Sequence, residues 1–388
     1  MTPAARQAAA IDILDRWREG QPVEAALTSW ARASRYAGSK DREAVRDIVY
    51  GAVRQRQSAS ALGGGDSGRA LMLGSARADG AAPEGWTGEM YTPVALTDDE
   101  RALCAAPPPE MSRADRLDCP AWLLPLFDAA LGDQTDATLA MMQQRAPIFA
   151  RVNVAKASVV DVVTELAEEG IAAQPHPLAV TGLEITTNPR RLRINAAYAE
   201  GRVELQDVAS QAVALDFLQH VPEGAEVLDY CAGGGGKALA LAAQGVAVAA
   251  YDIAPARMRD LPARVERAGA NVRILEAKPN GVWGAIFADA PCSGSGSWRR
   301  APEAKWQFTP DRLAELTEIQ DSILTQCAGL IAPSGVLGYA TCSLLREENE
   351  DRIEAFLAKT PGWHVVHQRR LGPLDGGDGF FLSVLRRE

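Results

Sequence analysis

Apolar residues recur at helical spacing through the first sixty positions. Ile11, Leu14 and Trp17 lie on one stripe. Leu27 and Trp30 follow, then Val45, Ile48, Val49 and Val53. Thr2-Pro3 supplies a cap with proline at the first helical position. This predicts helices over 2–57. The stretch 62–118 is looser, broken by Gly63-Gly64-Gly65 and Pro107-Pro108-Pro109, with short helices expected over 69–76 and 97–105. Residues 120–145 return to a helical pattern through Trp122, Leu126, Phe127, Leu139 and Met142.

The period changes at Ile148. Residues 148–153 and 203–206 read as strands, and 159–169 as a helix, giving a small α+β unit. From about 207, strands and helices alternate, the mark of a parallel sheet with crossover helices. Five apolar runs end on an acid or a thiol: Val227-Leu228 at Asp229, 246–251 at Asp252, 272–275 at Glu276, 284–287 at Asp289 and Cys292, and 336–340 at Cys342. A helix starts at Thr309-Pro310, carries Leu313, Leu316, Ile323 and Leu324, and is expected to stop at Pro333-Ser334-Gly335. The fold class is therefore α/β, with its site at the carboxyl ends of the strands.

Composition narrows this picture. A chain of 388 residues implies two or three domains. No apolar run reaches the roughly 18 residues of a membrane span. The N-terminus lacks an apolar signal core, so a cytoplasmic protein is expected. Six cysteines include no C-x-x-C pair, and four histidines show no ligand spacing, so no metal is expected. Cys327 falls on a helix stripe, and Cys104 and Cys119 lack polar company; all three read as core. The net charge of −10 disfavours a general polyanion binder. Residues 1–60 nevertheless hold ten Lys/Arg against seven Asp/Glu, an excess of +3.

The segment 229–237, Asp-Tyr-Cys-Ala-Gly-Gly-Gly-Gly-Lys, leaves a strand and opens a helix. Its glycines permit close backbone approach and positive φ. The helix start beyond favours an anionic group. Lys237 is followed by Ala238, which excludes a Walker A loop. Residues 233–238 fit G-x-G-x-x-G/A, with Asp252 placed for a ribose. A nicotinamide dinucleotide and S-adenosylmethionine both satisfy that pattern.

The thiols separate the two. Cytosine C5 becomes nucleophilic only after a thiolate adds to C6. An acid must then steady the adduct, and a base must remove the C5 proton. Two thiols and an acid at neighbouring strand ends match this need.

At these residues the chain resembles the RNA cytosine-5 methyltransferases of the Sun/RsmB family, over roughly 145–388. The motifs are Arg151-Val152-Asn153; Gln206-Asp207 with Ser210; 229–232; Asp252 with Arg257; Asp289-Ala290-Pro291-Cys292-Ser293-Gly294; Arg300 with Pro302, Lys305 and Trp306; Thr341-Cys342-Ser343; and Asp378-Gly379-Phe380-Phe381. The resemblance implies a Rossmann-like class I domain with a mostly parallel seven-stranded sheet over 206–388. A small α+β RNA-binding domain would occupy 145–205, and a NusB-like all-α RNA-binding domain 1–135.

Cys342 would be the nucleophile, Cys292 would serve product release, and Asp289 would hold the base. Cys231, Ala232, Gly233, Gly234, Gly235, Gly236, Lys237, Asp252, Arg257, Glu276 and Asp289 would bind S-adenosylmethionine. Arg151, Asn153, Arg190, Arg191, Arg300 and Lys305 would meet RNA, small-subunit ribosomal RNA first and transfer RNA second. A monomer is expected. The family loop usually reads Cys-Ala-Ala-Pro-Gly-Gly-Lys-Thr; here Gly233 and Gly234 replace Ala-Pro and Ala238 replaces Thr, implying a looser loop. The alternatives are a nicotinamide-dependent dehydrogenase and a non-catalytic RNA-binding assembly factor.

Overall fold

The computed structural model describes residues 1–387. It divides into two units, Met1–Arg145 with Trp298–Gln307, and Ala146–Ser297 with the chain from Phe308. The first is helical. Its longer helices, Pro3–Arg18, Val23–Ala33, Ser39–Arg54 and Gly68–Ala78, bury Ile13, Leu14, Trp30, Val49 and Leu71 against one another. The helical spacing in the sequence is thus a core-facing stripe. Asp98–Ala105 starts on a capping box between Thr97 and Glu100.

The second unit holds two sheets. The four-stranded sheet comprises β1 (Phe149–Val152), β2 (Ala173–Pro175), β3 (Gly182–Ile185) and β4 (Val203–Leu205), in the order β2-β3-β1-β4 and antiparallel throughout. Val162 and Leu166 of the helix Val159–Glu168 fill its buried face.

The seven-stranded sheet comprises β5 (Val227–Asp229), β6 (Val248–Ala250), β7 (Val272–Ile274), β8 (Trp283–Asp289), β9 (Ile331–Thr341), β10 (Trp363–Leu371) and β11 (Phe380–Arg387). Its order is β10-β11-β9-β8-β5-β6-β7. Strands β5 to β9 pair in parallel, and β10 and β11 antiparallel. This is the Rossmann-like arrangement. The chain runs outward from β5 through β7 and returns on β5's other side at β8. That reversal opens a crevice at the strands' carboxyl ends. No helix among the described residues is long and apolar enough to cross a membrane.

Two boundaries differ from the sequence reading. The helix Pro310–Ala328 ends before Pro333, and β9 already begins at Ile331, paired with Trp283. The small sheet is tied to the later segment where Asn153 Nδ2 donates to Ala268 O and Lys156 Nζ to Arg267 O. Residues 298–307 leave the catalytic segment for the helical unit. There Trp298 meets Phe127 edge-on, and Arg56 lies between the Trp17 and Trp306 rings at 5.5 Å from each.

A core role for that segment has a measurable consequence. Trp298 is 2% exposed, so Trp298→Ala should remove about 3–5 kcal/mol from the helical unit. Urea unfolding followed by circular dichroism reads this loss. An unchanged midpoint would contradict the assignment.

Candidate functional site

Asp229 ends β5 fully buried, and neither of its carboxylate oxygens has a hydrogen-bond partner. Burial first, then the neighbouring Asp289, pushes its pKa up to about 7. The loop beyond turns on Gly233 and Gly235, with φ of 50° and 79°. A Cβ at Gly235 would sit 2.1 Å from Leu261 Cδ1, so no larger residue fits.

The loop is held from outside. Ala232 N–H donates to Tyr251 O at 2.9 Å, Gly233 N–H to Asp252 Oδ2 at 2.9 Å, and Gln206 Nε2 to Gly236 O at 3.1 Å. Arg264 donates to Gly234 O. These holds restrain the flexibility that the extra glycines bring.

Beside the loop lies a cavity of about 220 Å³. Tyr230, Ile253, Pro291, Ile319 and Ile323 give it apolar walls, and Cys231, Asp252, Arg257, Ser322 and Gln326 complete it. Asp252 accepts from Gly233 and Ala254 and faces Arg257 at 3.2 Å. A carboxylate offers about four acceptor sites, so a diol can still bind it. Apolar walls and a carboxylate suit a nucleoside. Burial pushes the Cys231 thiol well up, so it lines the cavity as an apolar group. Glu276 is exposed after β7 and forms no part of the cavity wall.

Lys237, on the helix Gly236–Ala242, pairs with Asp289. Its Nζ lies 2.8 Å from Asp289 Oδ2 and 4.5 Å above the Phe380 ring. The buried cation holds Asp289 in place by ion pairing and cation–π attraction.

The register of β8 on β9 sets Asp289 opposite Ala340. Ala290 N–H donates to Ala340 O at 2.8 Å, and Gly296 N–H to Cys342 O at 2.9 Å. Both strands therefore release their chains at one level. The Cys292 and Cys342 sulfurs come to 3.5 Å. The hydrogen bond with Cys342, and then burial, push the Cys292 thiol well above its ordinary range.

Sequence reasoning missed what lies behind the thiols. Glu348 is fully buried and accepts from Ser293 N–H and Gln320 Nε2, and from the Ser293 and Ser343 hydroxyls. Asn349 Nδ2 donates to Ser343 O at 2.9 Å, and its Oδ1 accepts from Thr341 Oγ1. One carboxylate thus ties the loop after Cys292 to the loop after Cys342. The only signal was a run of seven polar residues, Arg346 to Arg352, just past Cys342.

The expected RNA contacts divide. Arg190 and Arg191 are exposed on the turn Pro189–Ile194, and Arg300 is exposed in the helical unit. Arg151, Asn153 and Lys305 are buried, which corrects the expectation that they meet RNA. Arg151 Nε donates to Gln206 Oε1 at 2.7 Å, and Gln206 in turn holds Gly236; burial lowers the Arg151 pKa to about 10. Asn153 Nδ2 ties Gly201 O to Ala268 O, at the end of the helix Leu261–Ala268. Lys305 Nζ donates to Arg54 O at 3.2 Å and to Asp118 O, both in the helical unit, and burial lowers its pKa to about 8.

A family profile described as 16S rRNA methyltransferase RsmB/F matches residues 217–385, and one for the ferredoxin-like domain of such proteins matches 119–191. The chain is 34% identical over 296 residues to "Ribosomal RNA small subunit methyltransferase B" of Xanthomonas campestris, covering 70% of this chain and 67% of that one. The protein of that name from Klebsiella pneumoniae is 34% identical over 286 residues, covering 69% and 65%. The chain thus spans about two thirds of these curated relatives. The crystal structure of PH0851 superposes with a TM-score of 0.78 at 22% identity, over 100% of this chain and 99% of that one. A methyltransferase homologue from Pyrococcus horikoshii gives 0.62 at 24%, over 71% and 98%.

Asp229 makes a testable contribution. Its folded pKa lies above the unfolded 3.8, so its stabilisation is complete in acid and is withdrawn as the pH rises towards about 7. Asp229→Asn should therefore gain thermal stability over the wild type as the ligand-free protein is taken from about pH 4 to about pH 8. A pH-independent difference in Tm would contradict this.

Proposed function

This chain belongs to the RsmB/F family of 16S ribosomal RNA methyltransferases, and on that premise we propose that it methylates C5 of a cytosine in small-subunit ribosomal RNA through a Cys342–C6 adduct. The family takes S-adenosylmethionine as methyl donor, which displaces the nicotinamide alternative. The observation that carries the reading is the 3.5 Å approach of two thiols beside an acid held by Lys237.

When bound, the cofactor supplies an electrophilic methyl group. Asp252 and the apolar walls of the cavity would hold its nucleoside, and the glycine loop would leave room for its chain. Asp289, fixed through Oδ2, offers Oδ1 to accept from the amino group of the cytosine. Cys342 gives its proton to solvent and adds to C6 as a thiolate; the C5=C6 pair moves to C4=C5, and N3 takes a proton from solvent. C5, now enamine-like, can take the methyl group, and N3 returns its proton to solvent. Cys292 keeps its proton at rest because Cys342 and burial hold it there. Once Cys342 is bonded to C6, the largest cause of that rise is gone. Cys292 then gives its proton to solvent and, as a thiolate, takes the C5 proton; the C5–H pair forms the C5=C6 bond, the C6–S bond breaks, and Cys342 leaves as a thiolate. The Glu348 network keeps both thiols in register while the adduct forms and breaks.

The test uses labelled S-adenosylmethionine and unmodified ribosomal RNA. Wild type should transfer label to C5 of cytosine. Cys342→Ala should transfer none. Cys292→Ala should lose about 10²–10⁴-fold in turnover and retain RNA through denaturation. Methyl transfer by Cys342→Ala, or label on another atom, would overturn the mechanism.

A further inference from the structure

The basic excess of residues 1–60 is concentrated in one place. Six of its ten cations serve the helical unit itself. Arg6 pairs with Asp41, Arg16 with Asp12, Arg18 with Asp66 and Arg46 with Glu24. Arg54 donates to Arg299 O, and Arg56 lies between two tryptophans. The other four are Arg32, Arg35, Lys40 and Arg42. All four are exposed, and none makes an ion pair among the described residues. Arg32, Arg35 and Arg42 converge on one open concavity with Thr28 and Ala31 as its floor.

These charges are not placed for the fold. Lys40 and Arg42 sit in the first turn of Ser39–Arg54, where the helix's own positive end disfavours cations. Their mutual repulsion is relieved by no acid in the concavity. An incoming anion relieves both.

Two rings complete the surface. Tyr36, next to Arg35, is 65% exposed and lies 6.0 Å from Tyr91, itself 67% exposed. Tyr91 holds a left-handed φ of 69°, a conformation unfavourable for a bulky residue and maintained here at an exposed position. Exposed aromatic rings beside unpaired arginines are the elements of a single-strand binding platform.

We propose that Arg32, Arg35 and Arg42, with the Tyr36–Tyr91 pair, form a binding site for single-stranded RNA. The arginines hold successive backbone phosphates, and the rings take an unstacked base. This rests on the RNA reading of the chain and adds a contact surface in the helical unit. Phosphate contacts position without reading sequence, so the site would grip a strand rather than select the target cytosine.

The experiment measures anisotropy of a fluorescent single-stranded RNA of about 12 nucleotides with the full-length protein, without cofactor, across a salt series. Replacing all three arginines by alanine should weaken binding about 10–100-fold at low salt and reduce the slope of log K against log salt by about 2. The three-lysine variant should restore most of the slope. Tyr36→Ala with Tyr91→Ala should weaken binding about tenfold and leave the slope unchanged. Thermal unfolding should match wild type in every variant.

An unchanged slope in the alanine variant overturns the site. So does intact RNA binding combined with lost retention on polyglutamate, which would assign the patch to an acidic protein. Equal losses on duplex and single strand would overturn the stacking role of the rings. Because no methyl transfer is read, an arginine-dependent slope in a protein that methylates nothing would keep this site and sink the catalytic reading.

Discussion

The parallel pairing of β8 with β9 is the constraint on which the site depends. It sets Asp289 opposite Ala340 and makes both strands end at one height. From there two short loops carry Cys292 and Cys342 to sulfur–sulfur contact. A slip of one residue would turn alternate side chains to the other face of the sheet and part the thiols. The close packing of Gly296 on Gly379, where a Cβ would meet backbone at 2.4 Å, keeps the Cys292 loop against the start of β11.

Around this pair the protein buries an unusual amount of charge and satisfies most of it locally. Lys237 neutralises Asp289. Glu348 gathers two serine hydroxyls, a backbone N–H and an amide. Asp229 keeps both oxygens unpartnered, and burial holds it towards its neutral form. A buried, unpaired group of this kind is costly. Its neighbours Lys237 and Asp289 mark it as part of the same electrostatic unit.

The large sheet was legible because each of its central strands ends on a glycine, an acid or a thiol, and such endings interrupt an apolar run sharply. The small sheet was half legible. β2 has three residues and contains Pro175, so periodicity had nothing to work on. β10 lies at a sheet edge and alternates poorly. Site residues failed in a consistent way. Arg151 and Asn153 look like surface contacts because they are polar residues on a short strand, yet β1 is an inner strand and its polar ends clamp a helix and a loop. Lys305 caps carbonyls near residues 54 and 118, and no local pattern reports partners so distant in sequence. Glu348 was invisible for the same reason: it also holds Ser293, on another strand's loop.

The account stands on the proton that the hydrogen bond to Cys342, and then burial, hold on Cys292 at rest. Site-resolved alkylation measures this directly. The ligand-free protein would be treated briefly with iodoacetamide near about pH 8, just below the ordinary thiol pKa, and the modified peptides quantified by mass spectrometry. Cys342 should be carboxamidomethylated first, with Cys292 following only after its partner is blocked or at higher pH. Earlier modification of Cys292 would contradict the division of labour on which the mechanism rests.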